Sequence, residues 1–325
     1  SALFDSVRHC LITCSAYPTK WAEDFTTSVS RIEEVSHNYP IVGCFYSREY
    51  DQMVTCDAIR TIKLWEYKNG NLEAAHREKL TNQSTHITTA CLDNSSRRII
   101  TAKIDGEITL WNFNSGQEII SFKISEDSLI SILQCVMIQN REYLVCCRWD
   151  RKILVYREIA QCEYELYRSF DGHKNDIISL APSQLGVVSG DANGTVIYWV
   201  ITTSLPQAIA NIETGGSVEA ICVAGYSVYV GDSNGQIIVF SLPKLNMVRK
   251  IDSHGITRKY SLTSLVADEE NDFLYSSDTL GYVRKFKLST LEPLQLTRCH
   301  LDDIVSLTLM NHGKHIVTTG VDKTI

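Results

Sequence analysis

Asp105-Gly106-Glu107-Ile108-Thr109-Leu110-Trp111 decides the fold, because its pattern recurs along the chain. Asp150-Arg151-Lys152-Ile153-Leu154-Val155-Tyr156, Asn193-Gly194-Thr195-Val196-Ile197-Tyr198-Trp199 and Asn234-Gly235-Gln236-Ile237-Ile238-Val239-Phe240 are built alike: a turn residue, a short apolar run, and an aromatic six positions after the turn residue. Looser copies end at Trp65 and Phe286, and a degenerate one at Trp21. The closing aromatics therefore stand at 21, 65, 111, 156, 199, 240 and 286, between 41 and 46 residues apart. A fixed period of that size marks a repeat architecture.

Each unit reads as four short strands, because alternating apolar and polar runs are separated by Gly, Asn, Asp and Ser clusters. Between 116 and 157 these are Glu118 to Lys123, Leu129 to Cys135, Tyr143 to Cys147 and the strand that closes on Tyr156. One such sheet cannot bury both its faces. Stacking the sheets radially buries them and leaves only short edges, so the expected fold is an all-β propeller of about seven four-stranded blades, with six or eight as alternatives. Complete units run over 31–67, 71–113, 116–157, 163–200, 205–241 and 246–288, and a seventh starts near 292 and is incomplete at 325. Residues 1–30 read as the end of a preceding repeat or as propeller-closing strands, with Cys10 to Ala16 able to complete the last blade.

These units resemble the WD-repeat (WD40) family, whose repeat carries a His near its start, a Ser or Thr on the third strand, an Asp in the next turn and a Trp on the fourth strand. His86, Thr101, Asp105 and Trp111 match all four positions. His173, Ser189 and Trp199 match three, with Asn193 in place of the Asp, and His300, Thr318 and Asp322 match the three that precede the chain's end. The resemblance implies a buried network in which Asp accepts from His and the turn amides, while a hydroxyl and the indole N–H hold the His. On that reading Asp105→Ala strands several donors and costs about 1 to 3 kcal/mol. The unit ending at Phe240 has no such His, and the one ending at Phe286 has Leu280 where the Asp is expected. Over 37–177, motifs such as Ser96-Arg97-Arg98-Ile99-Ile100-Thr101 and Arg148-Trp149-Asp150-Arg151-Lys152 resemble a group of long WD-repeat proteins of motile cilia and sperm. Some of that group carry EF-hands, but no D-x-[DN]-x-[DN]-G-x5-E calcium loop occurs here.

Composition agrees with a water-exposed, packed chain. The 325 residues are 44% hydrophobic and 21% charged, with 31 basic and 38 acidic side chains. A net charge of −7 argues against a nucleic-acid partner held by phosphate neutralisation. The longest apolar runs are about seven residues, short of the ~20 that cross a bilayer, so no membrane partner is expected. The eleven cysteines include no C-x2-C pair, so neither metal nor other cofactor is implied. They are expected to be reduced, buried thiols of a cytosolic protein.

A His with Asp and a hydroxyl also has the makings of a hydrolase triad, and Cys299-His300 those of a nucleophile and base. Recurrence at the repeat period favours a structural role instead, and no enzyme activity is expected. The stronger functional signal is Arg148, Trp149, Arg151 and Lys152, an aromatic among cations at the rim of one face, which is the composition of a binding hot spot. Arg258 and Lys259 sit in a longer loop and form a second candidate. The expected function is a protein-interaction scaffold. The subgroup resemblance implies a place in the axoneme of cilia or flagella, with tubulin and its acidic tails among the partners. The alternative is a substrate receptor of a ubiquitin ligase, for which the motif W-D-x-R finds only Trp65-Glu66-Tyr67-Lys68.

Overall fold

A computed structural model describes residues 2–5, 10–14, 18–21, 28–31, 37, 39–47, 49–66, 71–77, 86–124, 129–160, 163–203, 205–213, 215–253, 260–310, 313 and 315–322. It divides into a small N-terminal unit ending at Asn38 and a large unit beginning at Tyr39. The small unit holds four antiparallel strands, Ala2–Asp5, Cys10–Cys14, Pro18–Trp21 and Ser28–Arg31, each paired to the next.

The large unit is a β-propeller. Six antiparallel four-stranded sheets span 41–77, 87–123, 130–171, 177–211, 218–252 and 262–298, and a two-stranded sheet of Ile304–Met310 and His315–Gly320 follows. We call these blades 1 to 7. The first strand of each blade is innermost and packs beside its counterparts in the neighbouring blades, and Ile304–Met310 closes the ring between Leu262–Asp268 and Ile41–Ser47. Hydroxyls stitch the ring: Thr88 Oγ1 donates to Ile130 O at 2.7 Å, Ser179 Oγ to Val218 O at 2.9 Å and Thr308 Oγ1 to Cys44 O at 3.1 Å.

The blades are displaced by one strand from the sequence units. Trp65, Trp111, Tyr156, Trp199, Phe240 and Phe286 lie on the third strand of their sheets. The strand that opens each sequence unit, such as Glu118–Lys123, pairs with the aromatic strand before it and forms the outer edge of that blade. A hairpin explains the shift, since an antiparallel partner is most cheaply supplied by the next segment of chain. Each repeat thus straddles two blades and ties them together.

Second and third strands are buried on both faces and supply the core. Leu144, Val145, Cys146 and Cys147 run consecutively inside, as do Val187 to Asp191. Close packing fixes small residues as well: a Cβ on Gly190 would lie 2.2 Å from Val218 Cγ1 of the next blade. The eight cysteines whose side chains are described are all unpaired. Burial pushes the Cys44 thiol up to about 12 and those of Cys56, Cys147 and Cys222 in the same direction, as for thiols used as core hydrophobes.

Candidate functional site

Two kinds of site emerge at the face carrying the turns between second and third strands: buried polar networks and one exposed tryptophan. The fullest network is in blade 4. His173 Nδ1 lies 3.0 Å from Asp191 Oδ2 and its Nε2 lies 2.6 Å from Ser189 Oγ, which accepts the Trp199 indole N–H at 2.7 Å. Asp191 Oδ1 also accepts the amides of Asn193 at 3.0 Å and Thr195 at 2.9 Å. With Nδ1 protonated, the Ser189 hydroxyl donates to Nε2 and every group is satisfied. Burial pushes the Asp191 carboxyl up, but the bonds from His173, Thr195 and Asn193 outweigh it and hold the group below the usual carboxylate range.

The carboxylate is Asp191, not the expected Asn193, which supplies only its backbone amide. Asp57, Asp232 and Asp278 hold the equivalent place, two residues after Thr55, Val230 and Ser276. All are buried, and each Oδ1 accepts the amides two and four residues on, at 2.7 to 3.0 Å. Asp278 thus fills the role that Leu280 was expected to leave vacant. The legible signal is Asp-x-x-Gly, as in Asp191-Ala192-Asn193-Gly194, Asp232-Ser233-Asn234-Gly235 and Asp278-Thr279-Leu280-Gly281. The required left-handed turn falls on Gly194, Gly235 and Gly281, with φ between 77° and 82°. Trp65 Nε1 donates to Thr55 Oγ1 at 2.7 Å in the same way. Blade 5 has the aspartate without the histidine, and Asp232 Oδ2 finds no partner among the described residues.

Blade 2 departs from expectation. Trp111 Nε1 donates to Thr101 Oγ1 at 2.9 Å, but His86 is exposed and Asp105 half-exposed, accepting one amide, from Glu107 at 3.2 Å. Lys103 occupies the aspartate's place and pairs with Glu107 Oε2 at 2.8 Å. His86, Thr101, Asp105 and Trp111 are therefore not one network, because a cation stands where the carboxylate would anchor the imidazole. His86→Ala and Asp105→Ala are accordingly expected to change stability by about 0.5 kcal/mol or less. His173→Ala, which strips partners from buried Asp191 and Ser189, costs about 1 to 3 kcal/mol. Urea denaturation of the three variants beside the parent measures the contrast.

Blade 7 solves the same problem differently. His300 Nδ1 lies 3.0 Å from Asp322 Oδ1 and Nε2 2.9 Å from Thr318 Oγ1. Gly320 stands at the usual aspartate position, and a Cβ there would come within 2.5 Å of both Asp322 Oδ1 and His300 Nδ1. The glycine makes room for a carboxylate arriving from two residues on.

Asp191, His173 and Ser189 have the connectivity of a hydrolytic triad, yet the His173 and Asp191 side chains are fully buried and Ser189 is 0% exposed. Ser189 Oγ is moreover saturated by His173 and Trp199, so no carbonyl can reach it.

Trp149 is 67% exposed, at the tip of the blade 3 turn. Exposed Ile104 and Val321 occupy the matching tip positions of blades 2 and 7, and exposed Leu301 and Tyr39 flank them in blades 7 and 1. An apolar arc therefore crosses neighbouring blades, whereas Ala192, Ser233 and Thr279 hold the tips of blades 4 to 6. The cations beside Trp149 have carboxylate partners: Arg148 with Asp150 at 3.0 Å, Arg151 with Asp176 at 3.4 Å and Lys152 with Asp171 at 3.9 Å. The patch is an aromatic in balanced charge rather than the cation cluster that the sequence suggests. Arg151 also has φ +68° where blades 2, 4, 5 and 6 place glycine and blade 1 places Arg60 at φ +65°, and it donates to Lys174 O at 2.7 Å. Arg258 and Lys259 lie outside the described residues.

Residues 164–199, the segment holding His173, Ser189 and Trp199, match the family model described as WD domain, G-beta repeat. The WD repeat-containing protein on Y chromosome of Drosophila grimshawi is 24% identical over 185 residues, and that of Drosophila virilis 23% over 185 residues. Each match covers 54% of this chain but only 16% and 15% of the respective relative, so the chain corresponds to a small part of those proteins. A structure titled Crystal Structure of Mitotic Checkpoint Complex contains a chain with a TM-score of 0.73 at 16% identity, covering 90% of this chain and 89% of that one. The computationally designed Ika8 protein gives 0.67 at 23% identity, covering 87% and 81%. At these identities the structural matches speak to the fold alone. The repeat match and the relatives support the WD-repeat propeller family.

Proposed function

We propose that this chain, a WD-repeat β-propeller, is a non-enzymatic scaffold that holds proteins of a ciliary or flagellar axoneme together, with Trp149 at the centre of one docking surface. The observation that carries the scaffold reading is the contrast between the polar groups and the tryptophan. The triad-like set is sealed inside a blade, while a residue type that dominates binding energy stands in water. The axonemal setting, cytoplasmic and bound to doublet microtubules, rests on the resemblance of residues 37–177 to the ciliary WD-repeat group.

The chemistry suits an acidic partner such as the tubulin tail. Arg151–Asp176 and Lys152–Asp171 are solvent-exposed pairs, worth about 0 to 1 kcal/mol each, so an incoming carboxylate exchanges for either at little cost. The variant Trp149→Ala with Arg151→Gly is a clean probe, because the glycine suits the turn. The parent chain is expected to pellet with intact microtubules, and both this variant and removal of the tubulin tails by proteolysis should abolish pelleting. Equal pelleting with tailless microtubules would overturn the tubulin assignment.

A further inference from the structure

The face opposite Trp149 carries the turns from inner to second strand and from third to outer strand. Leu185 and Tyr226 occupy the first kind of turn in blades 4 and 5, Leu205 and Met247 lie at the second kind in the same blades, and Met137 nears the end of the inner strand of blade 3. Their exposures run from 47% to 75%. The inner strands of these three blades are neighbours in the ring, so the five side chains share one sector of that face. Such a sector on a protein surface marks an interaction site.

Acidic charge borders the sector at blade 6, while exposed Lys244 in the third-to-outer turn of blade 5 and exposed Arg141 after the inner turn of blade 3 are single cations within it. The inner turns of blades 4 and 5 hold no charged residue, whereas that of blade 6 reads Asp268-Glu269-Glu270-Asn271-Asp272. Glu269 and Glu270 are exposed and Asp272 half-exposed. The acidic turn touches the apolar one: the Gly225 N–H, next to Tyr226, donates to Glu269 Oε1 at 3.2 Å. Asp272 accepts the Ser289 amide at 3.0 Å and hydroxyl at 2.7 Å, and buried Asp268 accepts the Asn271 side-chain amide at 2.8 Å. Among the described residues no cation pairs with Asp268, Glu269 or Asp272. The sector is apolar in the middle, with the acidic side chains clustered at its blade 6 margin and the single cations Arg141 and Lys244 apart from that cluster.

We infer that this sector is a second docking surface, and that its occupant is a cationic segment of another protein in which leucine-like side chains alternate with lysine or arginine. A second copy of this chain fits poorly, because a two-fold contact sets like surface against like and brings the two acidic turns together. Nucleic acid and anionic lipid are repelled by the same turn.

The test uses the whole chain and fluorescein-labelled fifteen-residue peptides read by anisotropy: one of leucine and lysine, one of serine and lysine, one of leucine and glutamate. The leucine–lysine peptide is expected to bind at least about tenfold more tightly than either control, with affinity falling as salt rises. Leu185→Ser with Tyr226→Ser, and separately Glu269→Lys with Glu270→Lys, should each weaken it by at least about tenfold. Trp149→Ala should leave it unchanged, which separates this surface from the one proposed above. Equal binding of the serine–lysine peptide, or unchanged binding by both double variants, overturns the inference. So does a parent dimer in sedimentation that the Leu185→Ser, Tyr226→Ser variant dissolves, since the sector is then a contact between copies.

Discussion

Asp191→Ala is expected to lower the unfolding free energy by about 3 kcal/mol or more. Its carboxylate accepts from His173 and from the amides of Asn193 and Thr195, all within a fully buried blade end. Alanine leaves those donors without partner or water. Asp191→Asn separates charge from shape, and its effect should depend on pH. The folded pKa lies below that of the unfolded chain, so the ionised group's contribution is fully present above about pH 4, the unfolded carboxylate pKa. It is lost as pH falls through the folded value. The parent's advantage over Asp191→Asn should therefore hold at pH 7 and shrink below pH 4. Urea titrations at several pH values measure it, and an advantage independent of pH would show that the carboxylate contributes no charge-dependent stability.

Trp199→Ala should be at least as damaging, at about 3 to 5 kcal/mol. The indole is 0% exposed, stacks on Phe170 with centroids 5.0 Å apart and rings 16° from parallel, and donates to Ser189 Oγ. Its loss opens a cavity between the third and outer strands of neighbouring blades and removes a donor from the network. Trp199→Phe keeps most of the packing and forfeits only the N–H, so it should cost less than half as much. Blades 3, 5 and 6 already close on Tyr156, Phe240 and Phe286. Equal losses for the two substitutions would show that the hydrogen bond, not the packing, dominates at this position.

The exposed Trp149 and the sealed Trp199 illustrate how differently the site and the scaffold could be read from residues alone. Both aromatics belong to repeat motifs, and both stand near a turn. Burial follows from position on the strand: Trp199 lies within a central strand whose two faces are covered, and Trp149 lies at a turn tip that no blade reaches. Period and pattern carry that information for Trp199. For Trp149 they give the rim position, while the partners of its neighbouring cations, Asp150, Asp171 and Asp176, come partly from other strands and the next blade. The same limit explains Asp105. In the sequence Asp105-Gly106 looks like a better turn aspartate than Asp191, which is separated from its glycine by two residues. The backbone decides otherwise: from Asp191 the carboxylate points inward at two amides and an imidazole, while from Asp105 it points outward.

The sequence by itself determined that the chain is all-β, built on a 41 to 46 residue repeat and propeller-forming, because alternation and turn chemistry act over a few residues and repeat with the period. Tertiary structure alone decided where one blade ends and the next begins, which aspartate anchors each histidine, and that Gly320 yields its place to Asp322. It also decided that an apolar sector lies beside an acidic turn. Those outcomes depend on which strands become neighbours, and a hydrogen bond or a shared surface between residues far apart in the chain exists only after the ring has closed.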